Sequence, residues 1–144
     1  MKTMLEMGAA RQQGLHNIGE AAKASGVSAK MIRHYESIGL IDAAARTEAG
    51  YRVYHERDVQ VLQFIHRSRE LGFSLEQIKT LLTLWQDKQR ASKDVREMAK
   101  RHIAELDAKI ANMQAMRRTL EQLATKCHGD DRPDCPILDD LAHG

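Results

Sequence analysis

From Asn17 onward the apolar residues fall into helical spacings, interrupted at short intervals by Gly and Ser. Ile18, Ala21 and Ala22 share one face of a short helix that Asn17 is placed to cap. Ser25-Gly26-Val27 interrupts it, and Gly26 suits a tight turn of positive φ. Ser28 then caps a second helix reaching about Ile38, which Gly39 ends. Next comes a turn and a short strand, with Tyr51, Val53 and His55 alternating against Arg52 and Tyr54; Leu40 and Ile41 are the expected partner strand. A third helix is expected over residues 58–71, with Val59, Leu62, Phe64, Ile65 and Leu71 in the core and Gly72 stopping it. Ser74 caps a fourth, which buries Leu75, Ile78, Leu81, Leu82 and Trp85.

Residues 92–127 follow a different rule. Ala99, Ile103, Leu106, Ile110, Met113, Leu120 and Ala124 recur at steps of three and four, broken once by Arg117 and interleaved with charge. A helix over these 36 residues would be about 54 Å long. A chain this small has little to cover such a stripe, so a homodimer through paired helices is expected, with an intramolecular bundle as the competing possibility. Residues 1–16 show no clear period and read as a poorly ordered extension; Met4, Met7 and His16 are soft-metal donors there, but such a segment more often carries no site. The tail, residues 128–144, is acidic, and Pro136 sits where a short last helix would have its first turn. Ile137, Leu138 and Leu141 are the expected buried side of that helix. The expected fold is mainly α: an extension (1–16), a winged helix-turn-helix DNA-binding domain (17–86), a linker and dimerisation helix (87–127), and a metal-binding loop with a C-terminal helix (128–144).

Composition narrows this little. The chain has 144 residues, 22 Lys plus Arg against 20 Asp plus Glu, and a net charge of +2, so bulk charge selects no partner. Aromatics at 4% suit helices better than sheets. No apolar run approaches the roughly 20 residues of a membrane span, and the N-terminus lacks the hydrophobic stretch of a signal peptide. Two cysteines are no disulfide scaffold. A reducing, cytoplasmic compartment is therefore expected, with the thiols free or metal-bound. No Ser/His/Asp set or carboxylate pair has a spacing that suggests an enzyme.

Two short helices around a glycine turn, followed by a hairpin, make the winged helix-turn-helix plan. The second helix presents Lys30, Arg33 and Ser37 on one face, and the wing carries Arg46, Tyr51 and Arg52. Arg and Lys suit guanine edges, and Tyr and Arg suit phosphates. Residues 17–70 carry eight Lys plus Arg and seven Asp plus Glu, so the footprint rests on how charges are sorted over faces.

The segment Arg33-His34-Tyr35-Glu36 followed by Gly39-Leu40, and the segment Leu71-Gly72-Phe73-Ser74, resemble hallmarks of the MerR family of transcription regulators. The resemblance runs from Asn17 to about Leu141. It implies that Lys30 and Arg33 read the major groove. It also implies that Tyr35, Arg46, Tyr51 and Arg52 contact phosphates, with Arg69 as a further backbone contact. His34 stands where relatives often carry an aromatic or hydrophobic residue.

Cys127 and Cys135 have seven residues between them, a spacing that is weak by itself. Cys127 ends the long helix and Cys135 begins the short one, and Gly129 and Pro133 let the loop fold back. A helix N-terminus at Cys135 favours the thiolate form. Two thiolates suit a soft ion such as Cu(I), Ag(I) or Au(I), whereas Zn(II) takes four ligands. Ser92 stands where family members that sense divalent ions carry a third thiol. The loop also resembles that of the copper-efflux (CueR/HmrR-like) branch. His128 is an available extra ligand, though capping or solvation is its plainer role, and Asp130, Asp131 and Asp134 read as a solvated turn.

The resemblance implies a homodimeric activator that binds promoter double-stranded DNA with an overlong spacer and distorts it until RNA polymerase engages both elements. The genes it implies serve copper efflux and detoxification. Two other readings compete. A thiol–disulfide redox regulator would use the same fold. A metal-buffering or metallochaperone protein would leave Lys30, Arg33 and the wing without a role.

Overall fold

The structure is a computed structural model, and it describes residues 14–144. Residues 1–13, including Met4 and Met7, lie outside the described residues. The chain forms two compact units that divide between Arg90 and Ala91. The first unit holds helices α1 (Ile18–Ser25) and α2 (Ala29–Ser37), strands β1 (Ala45–Arg46) and β2 (Arg52–Val53), and helices α3 (Glu56–Glu70) and α4 (Leu75–Gln86). The second holds α5 (Ser92–Lys126) and α6 (Pro136–His143).

Local hydrogen bonding explains the first four helices. Asn17 Oδ1 accepts from Glu20 N–H at 2.8 Å while Glu20 Oε1 accepts from Asn17 N–H at 3.1 Å, a reciprocal capping box for α1. Ser28 Oγ accepts from Met31 N–H and starts α2. Ser74 and Gln77 repeat the capping box for α4. Gly26, at φ +81°, makes the turn between α1 and α2. A methyl group there would also meet the His66 ring at 3.3 Å, so glycine is required both by the backbone and by the approach of α3.

These helices bury one core: Ala21, Val27, Ile32, Tyr35, Tyr54, Val59, Leu62, Ile65, Ile78 and Leu82. Each fully buried Ile, Leu or Val contributes about 1.5–3 kcal/mol relative to exposure. The core holds the α1–α2 pair against α3, and α3 against α4, so the outer face of α2 is set by apolar packing beneath it.

Several expectations need correction. The partner of β2 is β1, with Ala45 opposite Val53 and Arg46 opposite Arg52, not Leu40 and Ile41. The N–H groups of Gly39 and Leu40 return to the carbonyls of Glu36 and Tyr35, closing α2 with a Schellman motif, and Ile41 N–H also reaches Tyr35. Leu40 and Ile41 are thereby committed to the helix end and to the core edge. Helix α3 starts at Glu56, because Asp58 accepts from His55 N–H at 2.8 Å and caps it two residues earlier than expected. Leu71 is half exposed, since it follows the last turn of α3. Trp85 is 40% exposed and stacks on half-buried Phe64, with ring centroids 4.6 Å apart.

Order begins before Asn17. His16 exchanges two backbone hydrogen bonds with Tyr54, at 2.8 and 2.7 Å, and Leu15 packs on Val53. The end of the expected extension is thus part of the winged unit. The unit also runs past Gln86, because the Arg90 guanidinium donates to the carbonyls of Trp85 and Asp87 and closes the turn after α4.

In the second unit α5 has 35 residues and spans about 52 Å. Ile103, Ile110, Met113, Met116 and Leu120 are each more than half exposed along it. Helix α6 packs against α5. Of its three expected buried residues only Ile137 is half-buried; Leu138 and Leu141 are exposed in the single chain.

Candidate nucleic-acid interface and thiol loop

The first candidate site is the outer face of the winged unit. Lys30 and Arg33, one helical turn apart on α2, are both exposed, as are Ser37 and His34. Ile32 and Tyr35 point the other way, into the core. The wing turn is held by Thr47, which bonds Tyr51 through N–H and Oγ1, and by Gly50 N–H to Thr47 C=O. Tyr51 projects from it, half exposed. Arg46 Nη1 donates to Gly50 C=O at 2.7 Å across the turn. Arg52 donates through Nε to Glu36 Oε2 at 3.1 Å. Arg69 is exposed in the last turn of α3.

Six of the seven expected DNA-facing residues therefore sit on the surface or at its edge. The seventh, Tyr35, is 4% exposed and packs with Ile32 and Tyr54 in the core. Its carbonyl instead closes α2. One residue went unread in the sequence. Glu36 accepts the Ala44 N–H at 2.6 Å and the Arg52 Nε–H at 3.1 Å, joining α2 to β2 and to the residue just before β1. Its signal was a carboxylate in the last helical turn, where the helix dipole disfavours negative charge. Behind the wing, burial, aided by the charge of Glu36, raises the Tyr54 phenol above its ordinary 10.0.

The second candidate site is the loop between α5 and α6. Cys127 is the C-cap of α5, with its N–H on the carbonyls of Leu123 and Ala124. Cys135 is the N-cap of α6, its carbonyl accepting from Asp139 N–H, and Pro136 opens the helix. Both thiols are free and half-buried. In the loop, Arg132 donates to Asp130 from Nε at 2.9 Å and from its backbone N–H at 2.9 Å. That pairing holds Asp130 below the usual carboxylate range. Its carboxylate is therefore occupied by an arginine. His128 is exposed. Ser92 is the first residue of α5, at the far end of that helix from Cys127. Among the described residues, no three His, Cys, Asp or Glu side chains gather as a metal-ion site. The soft donors the loop offers are two thiols, with the exposed His128 beside Cys127, and that set suits a soft ion better than a hard one.

Two family descriptions match the chain: "MerR HTH family regulatory protein" over residues 16–84 and "MerR, DNA binding" over residues 59–123. The "Heavy metal-dependent transcription regulator 2" of Rhizobium meliloti (strain 1021) is 62% identical over 128 residues, which are 89% of this chain and 87% of that protein. The chain belongs to the MerR family. The HTH-type transcriptional regulator CueR of Salmonella typhimurium (strain LT2) is 40% identical over 126 residues, covering 88% of this chain and 91% of that one. The crystal structure of the transcription regulator PbrR691 from Ralstonia metallidurans CH34, in complex with lead(II), superposes with a TM-score of 0.74 at 32% identity. It covers 88% of this chain and 98% of that chain. The chain is thus a MerR-type helix-turn-helix transcription regulator, with a DNA-binding domain and no enzymatic role. No helix among the described residues is long and apolar enough to cross a membrane.

Proposed function

We propose that this MerR regulator is a Cu(I)-responsive transcriptional activator, able also to take Ag(I) or Au(I), that acts as a homodimer on promoter DNA in the cytoplasm. The observation that carries the metal assignment is the pair of free, half-buried thiols at the ends of two packed helices, with serine at the start of α5. Resemblance of the loop to the copper-efflux branch supports it, as does the 40% identity to CueR; the heavy-metal designation of the 62%-identical relative and the lead(II) in PbrR691 support a metal-responsive regulator without selecting the ion.

The chain's own residues define the steps. Lys30 and Arg33 read base edges, and Arg46, Tyr51, Arg52 and Arg69 hold phosphates. The exposed apolar stripe of α5 pairs with that of a second chain. Ser92 and Cys127 lie about 52 Å apart in one chain, so Ser92 reaches a thiol loop only if the two long helices run antiparallel. Cys127 and Cys135 would hold the monovalent ion, which would supply a soft Lewis acid for their two thiolates. Two thiolates and one such ion leave a charge of −1, which the N–H groups of the first α6 turn offset. A divalent ion would be neutralised, but it lacks its remaining ligands because Ser92 offers only a hydroxyl. Ordering of the loop docks the exposed Leu138 and Leu141 of α6 on the dimer and shifts it to a state that bends and untwists an overlong promoter spacer, so that RNA polymerase engages both elements. Differential metal affinity between the two states supplies the energy of that shift.

The test is transcription in vitro from a promoter carrying the duplex that the protein selects from genomic fragments. Activation by Cu(I), Ag(I) and Au(I), with little by Zn(II), Cd(II) or Hg(II), is expected. Strong activation by Zn(II) refutes the two-thiol site. Activation by oxidant without metal replaces it with a redox switch.

A further inference from the structure

Glu36 is tied to three segments at once. It sits in the last turn of α2, its side chain is 12% exposed, and both carboxylate oxygens are engaged. Oε1 accepts from Ala44, directly before β1, and Oε2 accepts from Arg52 in β2. The partners lie eight and sixteen residues away, so these bonds fix tertiary geometry and not the helix itself. Charge-assisted bonds at a half-buried carboxylate are short and directional. They also orient Arg52: with Nε committed, the guanidinium plane is set, and the N–H groups of its two terminal nitrogens remain as donors for a phosphate.

We propose that Glu36 is a positioning residue for DNA recognition. It locks the wing against the recognition helix, so that base contacts from α2 and phosphate contacts from the wing engage in one register. A negative charge beside a polyanion weakens non-specific attraction, so what Glu36 adds to binding comes through the geometry its two hydrogen bonds hold. The inference rests on the DNA-reading face assigned above.

The experiment compares the duplex selected from genomic fragments with an unrelated duplex of equal length, in gel shifts at fixed salt, using the full-length protein. Failure of the wild type to prefer any duplex would overturn the DNA reading and this inference together. Glu36→Gln removes the charge while keeping an acceptor for Ala44. Its affinity for the selected duplex should fall about tenfold while affinity for unrelated DNA stays level or rises. Adding Arg52→Ala should then lower discrimination no further than Glu36→Gln alone. Equal strengthening on both duplexes would mean that Glu36 acts only as a repelling charge. Equal weakening on both, with a lowered melting temperature, would mean a merely structural role. Either result overturns the proposal. Arg52→Lys covers the case in which Glu36→Gln does not fold, because it keeps the charge but loses the fixed guanidinium plane. It should lose discrimination about tenfold with unrelated-DNA binding retained, and unchanged discrimination overturns the proposal.

Discussion

Arg33 stands one turn from Lys30 on the exposed face of α2, above Ile32, which has no exposure at all. Substituting it should therefore alter recognition without altering the fold. Arg33→Ala is expected to lose about 1–3 kcal/mol of discrimination between the selected duplex and single-base variants of it. Competition binding measures this, and unchanged preference would remove Arg33 from the reading face. Tyr54 is a contrasting case. Its hydroxyl is buried with no hydrogen-bond partner among the described residues, and its ionisation is held above 10.0 first by burial. The folded chain keeps that proton at pH values where the unfolded chain has lost it. Its contribution is complete below about pH 10 and is lost as pH rises through the raised value. Tyr54→Phe should change the melting temperature little at pH 7, and should make its fall above pH 10 shallower. Melts across that range decide it; an unchanged alkaline slope would show that the phenol carries none of the effect.

Element ends were the most legible part of the sequence, because a cap is written in one or two residues. Asn17, Ser28 and Ser74 sit where their side chains start helices, and Gly26 and Gly39 adopt positive φ. Gly26→Ala is expected to cost about 1–3 kcal/mol, measured by urea unfolding, because left-handed backbone and contact with His66 act together. The two-residue wing strands were not legible in the same way. A pair such as Ala45–Arg46 has no period to read, and the apolar Leu40 and Ile41 resembled a strand while serving a helix end. The Glu36 bonds to Ala44 and Arg52 were invisible for another reason: sequence spacing does not encode them. The spacing of the α5 seam was legible, and Ile103, Ile110, Met113 and Leu120 on it are each more than half exposed. Ile103→Asp with Ile110→Asp should leave the winged unit folded, since both residues are more than half exposed, and should yield monomers in sedimentation. A stable dimer in that variant would move the interface elsewhere.

For the whole molecule, the reading face and the thiol loop lie in separate compact units, so their functions should separate by mutation. Cys127→Ser or Cys135→Ser is expected to abolish metal-induced transcription while DNA affinity stays within about threefold, well under the tenfold that 1.4 kcal/mol represents. Gel shift and transcription measured on the same preparation test this, and parallel loss of both would make the thiols structural. Ser92→Cys should add a donor and admit Zn(II) or Hg(II), read in the same transcription assay. Trp85 offers a way to watch the winged unit by itself. It is the single tryptophan of the chain, two-fifths exposed and stacked on Phe64. Indole emission shifts to the blue when water leaves the ring, so the protein carries its own fluorophore at the last turns of α4. Unfolding of the winged unit, which breaks that stack and wets the ring, can be followed by the reverse colour change, with no dye attached.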